Sequence, residues 1–241
     1  DGEEVVKLEN SFKKYFNKKY AVAVNNGFAS IHLSLIALNI KEGDEVIMPT
    51  FTIISCAQAL TRRAVIPVLV DCDPVTFNMR PESVESKISK NTKAIMIVHI
   101  FGLTVDIDPI LKISQKKNLK VIEDAAQAIG QTYKNKQCGS FGDISIFSFY
   151  PNKLITTGEG GMVLCNSEKL NIRVKNLRNL CFEEDRFVHH ELGYNYRMTN
   201  IQAALGLAQL ENLKESVKKK RWIGEVYNEL LEDIDAIRLP L

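Results

Sequence analysis

Short apolar, β-branched runs alternate with stretches of helical period over the first two-thirds of the chain, and few folds accommodate that alternation. Tyr20–Val24 reads as a strand and Ala29–Leu38 as a helix, while Glu45–Met48 and Val65–Val70 read as strands on either side of helix Ile53–Arg62. Lys93–Ile100 is the strongest strand signal and Leu119–Glu123 is another, with helix Asp108–Lys116 between them. Strand and helix repeating in this way predict an α/β fold, a mainly parallel sheet with helices on both faces. The pattern then changes. Gln131–Lys134 and Gln137–Cys138 flank Asn135 as a hairpin, and Ile144–Phe149 and Gly161–Cys165 add two strands. Helical periodicity occupies Glu168–Arg178 and the long stretch Asn200–Leu231, whose apolar face runs through Ile201, Ala204, Leu205, Ala208, Leu210, Leu213 and Val217.

Thirty-one basic and twenty-nine acidic residues leave a net charge of +2, which gives no global argument for nucleic acid or an anionic membrane as partner. The cluster Lys218-Lys219-Lys220-Arg221 reads as a solvated helix face. Five cysteines without a CxxC pair read as reduced, packed thiols of a cytoplasmic protein. No apolar stretch is long enough to span a bilayer. His189 and His190 lack a third ligand at metal spacing, so no metal site is expected.

The chemistry concentrates in two segments. Lys153 lies in Ser148-Phe149-Tyr150-Pro151-Asn152-Lys153, just before the glycines at 158, 160 and 161. A surface lysine is the bland reading. Here Pro151 stiffens the approach and the glycines let backbone come close to a ligand. A lysine that attacks a carbonyl must first lose its proton, which requires a desolvating or cationic neighbourhood. Asp124 ends the apolar run Leu119–Glu123, at the edge where open α/β sheets bind ligands. Its alternative role is a helix N-cap. Beside a carbonyl-capturing lysine, a carboxylate suits the protonated nitrogen of a pyridine ring, and the two together point to covalently held pyridoxal phosphate acting as an electron sink. Glu123, the strand neighbour of Asp124, points to the opposite side.

A phosphate group needs N–H donors. Asn26-Gly27-Phe28-Ala29-Ser30 joins a strand to a helix start, which aims free amides and a positive dipole end at an anion. Ser148 offers a hydroxyl. Gln127, three residues beyond Asp124, is within reach of the ring's phenolic oxygen if a helical turn begins there. His99, near a strand end, either lines the pocket or is a satisfied strand-end histidine.

At these residues the chain resembles the sugar-nucleotide aminotransferases of the DegT/StrS type, within the fold-type I pyridoxal-phosphate enzymes. The matching motifs are VNNGFAS, EVIMPTFT, VHIFGLTVDIDPI, VIEDAAQAIG, GSFGDISIFSFYPNKLITTGEGGMV and GYNYRMTNIQAALGLAQLE, in family order from about residue 18 to residue 212. The resemblance implies that Lys153 carries the cofactor, Asp124 partners the ring nitrogen and Gln127 lies near the phenolic oxygen. Ser148 and the amides of Phe28 and Ala29 would hold the phosphate, with Gly27 in the same turn. It further implies a homodimer with shared active sites, in which Asn195 of the Gly193-Tyr194-Asn195-Tyr196-Arg197 segment binds the neighbour's cofactor phosphate. Arg197 would pair with the amino donor's carboxylate.

The implied reaction moves an amino group from L-glutamate to a nucleotide-linked keto sugar. The wording of SFYPNK and GYNYRMTNIQAA is most like the enzymes that make perosamine or viosamine from 4-keto-6-deoxy sugars. A 3-keto acceptor and a non-catalytic regulatory protein are the alternatives, and Lys153 argues against the dehydratase branch, which carries histidine there. Phe28 replaces the family's usual Thr, and Ile53 stands where an aromatic often stacks on the cofactor ring. Residues 1–241 are expected to be the cofactor-binding large domain with the start of a C-terminal region, lacking an N-terminal segment and most of a small domain.

Overall fold

The computed structural model describes residues 2–182 and 187–240. In chain order the elements are α1 (Glu3–Tyr15), β1 (Tyr20–Val24), α2 (Gly27–Ala37), β2 (Glu45–Pro49), α3 (Ile54–Thr61), β3 (Ile66–Val70), α4 (Pro81–Glu85), β4 (Thr92–Val98) and α5 (Ile107–Lys117). They continue with β5 (Lys120–Asp124), β6 (Thr132–Tyr133), β7 (Lys136–Gln137), β8 (Ile144–Ser148), β9 (Gly161–Cys165), α6 (Glu168–Arg178), α7 (Asn200–Glu211) and α8 (Leu213–Leu231).

Seven strands form one sheet in the order β1-β9-β8-β5-β4-β2-β3. The pairs β3–β2, β2–β4, β4–β5 and β5–β8 are parallel, whereas β9 runs antiparallel to both β8 and β1. β6 and β7 make the separate hairpin. The fold is the α/β arrangement read from the alternation of runs. The inner strands β9, β8, β5, β4 and β2 are largely buried on both sides, as a sheet between helices requires, whereas edge strand β3 leaves Ile66 and Leu69 exposed. Ala94, Met96 and Val98 of β4 pack into the core beneath α2 and α3, while Ile95 and Ile97 face α5 on the other side. At the β1–β9–β8 end, Phe147, Met162 and Leu164 meet Leu8 and Phe12 of α1 and Ala203 of α7.

Two polar contacts lock distant segments onto this frame. Asn200 at the start of α7 caps α1 from outside, its Oδ1 accepting from the Glu4 and Val5 amides. Arg178 of α6 donates to Glu9 Oε1 and to the Ala23 carbonyl, each at 2.8 Å, in a buried clamp across α1, β1 and α6. The long helical stretch divides at Asn212, whose side chain donates to the Ala208 carbonyl as α7 ends. The predicted strand Lys93–Ile100 stops at Val98, and residues Ile100–Gly102 instead form a 3₁₀ turn with Phe101 at φ 51°.

Glu123 is fully buried and accepts five hydrogen bonds, from His99 Nε2, the Gly139, Phe141 and Gly142 amides, and Ser145 Oγ. Burial alone would raise its pKa, but the His99 and backbone donors outweigh that effect and hold it at about 2. Val105 N–H donates to His99 Nδ1, so the ring proton sits on Nε2 and points at Glu123. His99 is 0% exposed and does not line the cavity described below; its ring, just past the end of β4, turns toward Glu123, which is the second of its two readings, a satisfied strand-end histidine.

Replacing Glu123 with Gln sets an amide NH₂ against these donors, and is expected to cost about 3–5 kcal/mol at pH 7. The folded pKa lies below the roughly 4.3 of an unfolded glutamate. The stabilisation is therefore present above that value and is lost as pH falls toward 2. Urea unfolding at pH 7 and pH 3 should show the gap between wild type and variant narrowing in acid.

Candidate active site

The carboxyl ends of β5 and β8 and the loop that opens α2 surround a cavity of about 440 Å³. Lys153, Asp124, Gln127, Ser148, Gly27, Phe28 and Ile53 all line it. The structure thus gathers residues as far apart in sequence as 27 and 153 around one space.

Lys153 sits on a turn beyond β8, its amide donating to the Tyr150 carbonyl at 2.9 Å. The turn belongs to a loop closed at its base, where Phe149 N–H donates to the Gly160 carbonyl and Thr157 N–H to the Phe149 carbonyl. Partial burial lowers the pKa of the Lys153 amine, with the Asp124 carboxylate pulling the other way. The lowered value enlarges the neutral, nucleophilic fraction.

Asp124 is 3% exposed, and burial raises its pKa against the opposing pull of the Ala126 amide, Cys56 and Lys153. Its Oδ1 accepts from Ala126 N–H at 3.0 Å, and its Oδ2 accepts from the Cys56 thiol at 3.4 Å. Thr52 Oγ1 lies 3.4 Å from Cys56 Sγ and extends this chain of contacts. The Cys56 pKa is pushed well up by burial and by Asp124, so the group remains a thiol. The reading of the cysteines as packed thiols left this contact unforeseen, because nothing local in the sequence joins Cys56 to a strand 68 residues away.

The end of the cavity at the start of α2 is built largely from backbone. Asn26 caps α2, and its Oδ1 accepts from the Ala29 amide at 2.7 Å. Ala29 is fully buried, with its N–H taken by this cap. The amides of Gly27 and Phe28, in the first turn of α2, lack intrahelical acceptors and remain for an anion. A Cβ on Gly27 would lie 2.8 Å from Ser148 Cβ, so only glycine lets this turn press against the end of β8.

Gln127 Oε1 accepts from the Phe101 amide at 2.8 Å, which leaves the NH₂ end for a ligand. Ile53 is half exposed at the start of α3 and offers an aliphatic wall. Two expected residues lie elsewhere in the protomer. Asn195 is exposed, and Arg197 donates to Asn179 Oδ1 at 3.0 Å; neither lines the cavity around Lys153. Among the described residues no cluster of metal-ligating side chains exists, and no helix is long and apolar enough to cross a membrane.

An amine of lowered pKa, a buried carboxylate and a neutral amide cradle in one cavity suit a phosphate-bearing pyridine carbonyl, the chemistry of pyridoxal-phosphate aminotransferases. The chain belongs to the DegT/DnrJ/EryC1/StrS aminotransferase family, whose model matches residues 1–240. It is 46% identical over 231 residues to a GDP-perosamine synthase of Caulobacter vibrioides, an alignment that covers 95% of this chain and 62% of that protein. The X-ray structure of an aminotransferase from Psychrobacter cryohalolentis superposes with a TM-score of 0.94 at 34% identity, covering all of this chain and 65% of that one. A Bacillus subtilis structure with bound cofactor PMP gives 0.90 at 31% identity, covering 98% of this chain and 54% of the other. The chain therefore spans less than two thirds of the length of these relatives. The family is pyridoxal-phosphate dependent.

Substituting Gly27 with Ala forces α2 away from Ser148 and is expected to destabilise the fold by about 1–3 kcal/mol, the usual cost of overpacking, and to weaken pyridoxal phosphate binding. Urea unfolding of both proteins measures the first effect and fluorescence titration of the cofactor the second.

Proposed function

We propose that this chain carries the cofactor-binding domain of an aminotransferase that moves the amino group of L-glutamate onto a nucleotide-linked 4-keto-6-deoxy sugar, giving a perosamine- or viosamine-type product. The observation that carries the reading is Lys153 and Asp124 in one cavity beside the free amides that open α2. The similarity to a GDP-perosamine synthase supports the sugar assignment.

In this reading Lys153 would hold pyridoxal phosphate covalently, and its Nζ would carry the proton that leaves the donor's α-carbon. The bound cofactor supplies an electron sink for that carbon. Asp124 keeps the ring nitrogen protonated, and its buried setting keeps water from competing for that contact. Ser148 and the Gly27 and Phe28 amides hold the phosphate, and the Gln127 NH₂ orients the phenolic oxygen. Ile53 packs on the ring.

Asn195 and Arg197, absent from the cavity of their own chain, serve the neighbour's site in a homodimer, Asn195 at the phosphate and Arg197 at the donor's carboxylate. The reading also assigns the enzyme to the cytoplasm, where its five free cysteines stay reduced.

Borohydride treatment after loading with pyridoxal phosphate should leave a stable label on the peptide containing Lys153, found by mass spectrometry. Lys153→Ala should abolish the label, and a label on any other lysine would refute the assignment. Because burial lowers the amine's pKa, the capture rate should rise with pH and reach half its maximum below the roughly 10.4 of a free lysine. In the loaded protein, Asp124→Ala should slow amino transfer from glutamate by about 100-fold or more, the scale of losing one preorganised electrostatic partner. An unchanged rate would remove Asp124 from its role.

A further inference from the structure

The basic run on α8 divides between two environments. Val217, Lys220 and Arg221, at the i, i+3 and i+4 positions of one helix face, line a second cavity of about 660 Å³. Lys218 and Lys219 do not line it. This cavity shares Ile53, Gln127, Asn152 and Lys153 with the first and so opens directly onto it. The first turns of the helix are seated on the body of the protein, while Lys220 and Arg221 are exposed at the cavity's edge. Leu213 is buried, and Val217 packs so closely on Gly130 that a Cβ there would fall 2.4 Å from Val217 Cγ2.

The lining has a one-sided charge. Besides Lys153, which the proposed function gives to the cofactor, it includes two cations, Lys220 and Arg221, with the side-chain amides of Gln127, Gln131 and Asn152, and no aspartate or glutamate. Among the described residues neither Lys220 nor Arg221 has a carboxylate partner at ion-pair distance. Such a surface selects anions. The cofactor's phosphate already has its receptor in the neutral amides at the start of α2, which belong to the other cavity. A guanidinium fork beside an ammonium suits an extended anion with several oxygens, such as a diphosphate.

We propose that the Lys220–Arg221 face of α8 binds the diphosphate of the acceptor substrate while its sugar extends toward Lys153. This inference rests on the assignment of Lys153 to the cofactor. The basic run is then divided between a substrate-facing pair and a solvated pair.

Calorimetric titration of GDP and of UDP into the pyridoxal-phosphate-loaded protein tests it, with inorganic pyrophosphate as competitor. The double variant Lys220→Gln/Arg221→Gln should weaken nucleotide binding by about tenfold per residue, the size of one charge-assisted hydrogen bond. The charge-matched double variant Lys218→Gln/Lys219→Gln should change it less than about twofold, a gap that bulk electrostatics would erase. Pyrophosphate should displace the nucleotide, and pyridoxal phosphate affinity should be the same in all three proteins. Equal losses in both variants, no loss in the first, or no displacement by pyrophosphate overturns the proposal. A matching loss of pyridoxal phosphate affinity assigns the cations to the cofactor's phosphate and overturns it as well. Failure of wild-type labelling at Lys153 refutes the cofactor assignment instead, so the two failures are distinguishable.

Discussion

Five donors converge on the buried carboxylate of Glu123, and they come from the end of β4, the turn ahead of β8 and β8 itself. The end of β5 is therefore tied to both neighbouring strands and to the chain that joins β7 to β8. Side chains on a strand alternate between its faces. Anchoring Glu123 on one side obliges Asp124 to emerge on the other, where Cys56 and the Ala126 amide receive it. An uncompensated carboxylate at this depth would be costly. The donors make the charge tolerable, and with it they set the direction of the residue beside it.

Local signals carried much of the architecture. Runs of β-branched residues marked the strands, and the Asn26-Gly27 turn marked the start of α2, because cap and turn chemistry act over a few residues. Lys153, Asp124, Ser148 and Gly27 were readable because each sits in a segment whose conformation is decided nearby. Long-range pairing was not readable. His99 turns inward because its partner Glu123 is on the adjacent strand, and Ala29 loses its amide to a side chain three residues earlier that was read only as part of a turn. Cys56 reaches Asp124 only through the stacking of α3 on the sheet. The break at Asn212 escaped the helical periodicity because the apolar pattern continues across it, while the chain itself turns.

In the proposed assignment the two cavities receive negative charge by different means. At the start of α2 the donors are uncharged amides held by the helix and by the close approach of Gly27 to Ser148. Along α8 they are flexible side chains bearing full charges. A rigid dipolar cradle suits a group that stays in place through many turnovers, since it loses little entropy on binding. Long cationic side chains suit a group that arrives and leaves, since they attract it from a distance and adapt to its oxygens.

The antiparallel course of β9 has a further consequence for Lys153. Because β9 returns beside β8, the segment between Phe149 and Gly160 begins and ends at adjacent points of the sheet and is latched there by backbone hydrogen bonds. A segment with both ends pinned has little configurational freedom left to surrender. Attachment of a ligand to Lys153 therefore immobilises mainly the four-carbon side chain, and the binding energy is not consumed in ordering backbone. Had β9 run parallel to β8, the lysine would ride on a long crossover, and every capture would first have to restrain that crossover.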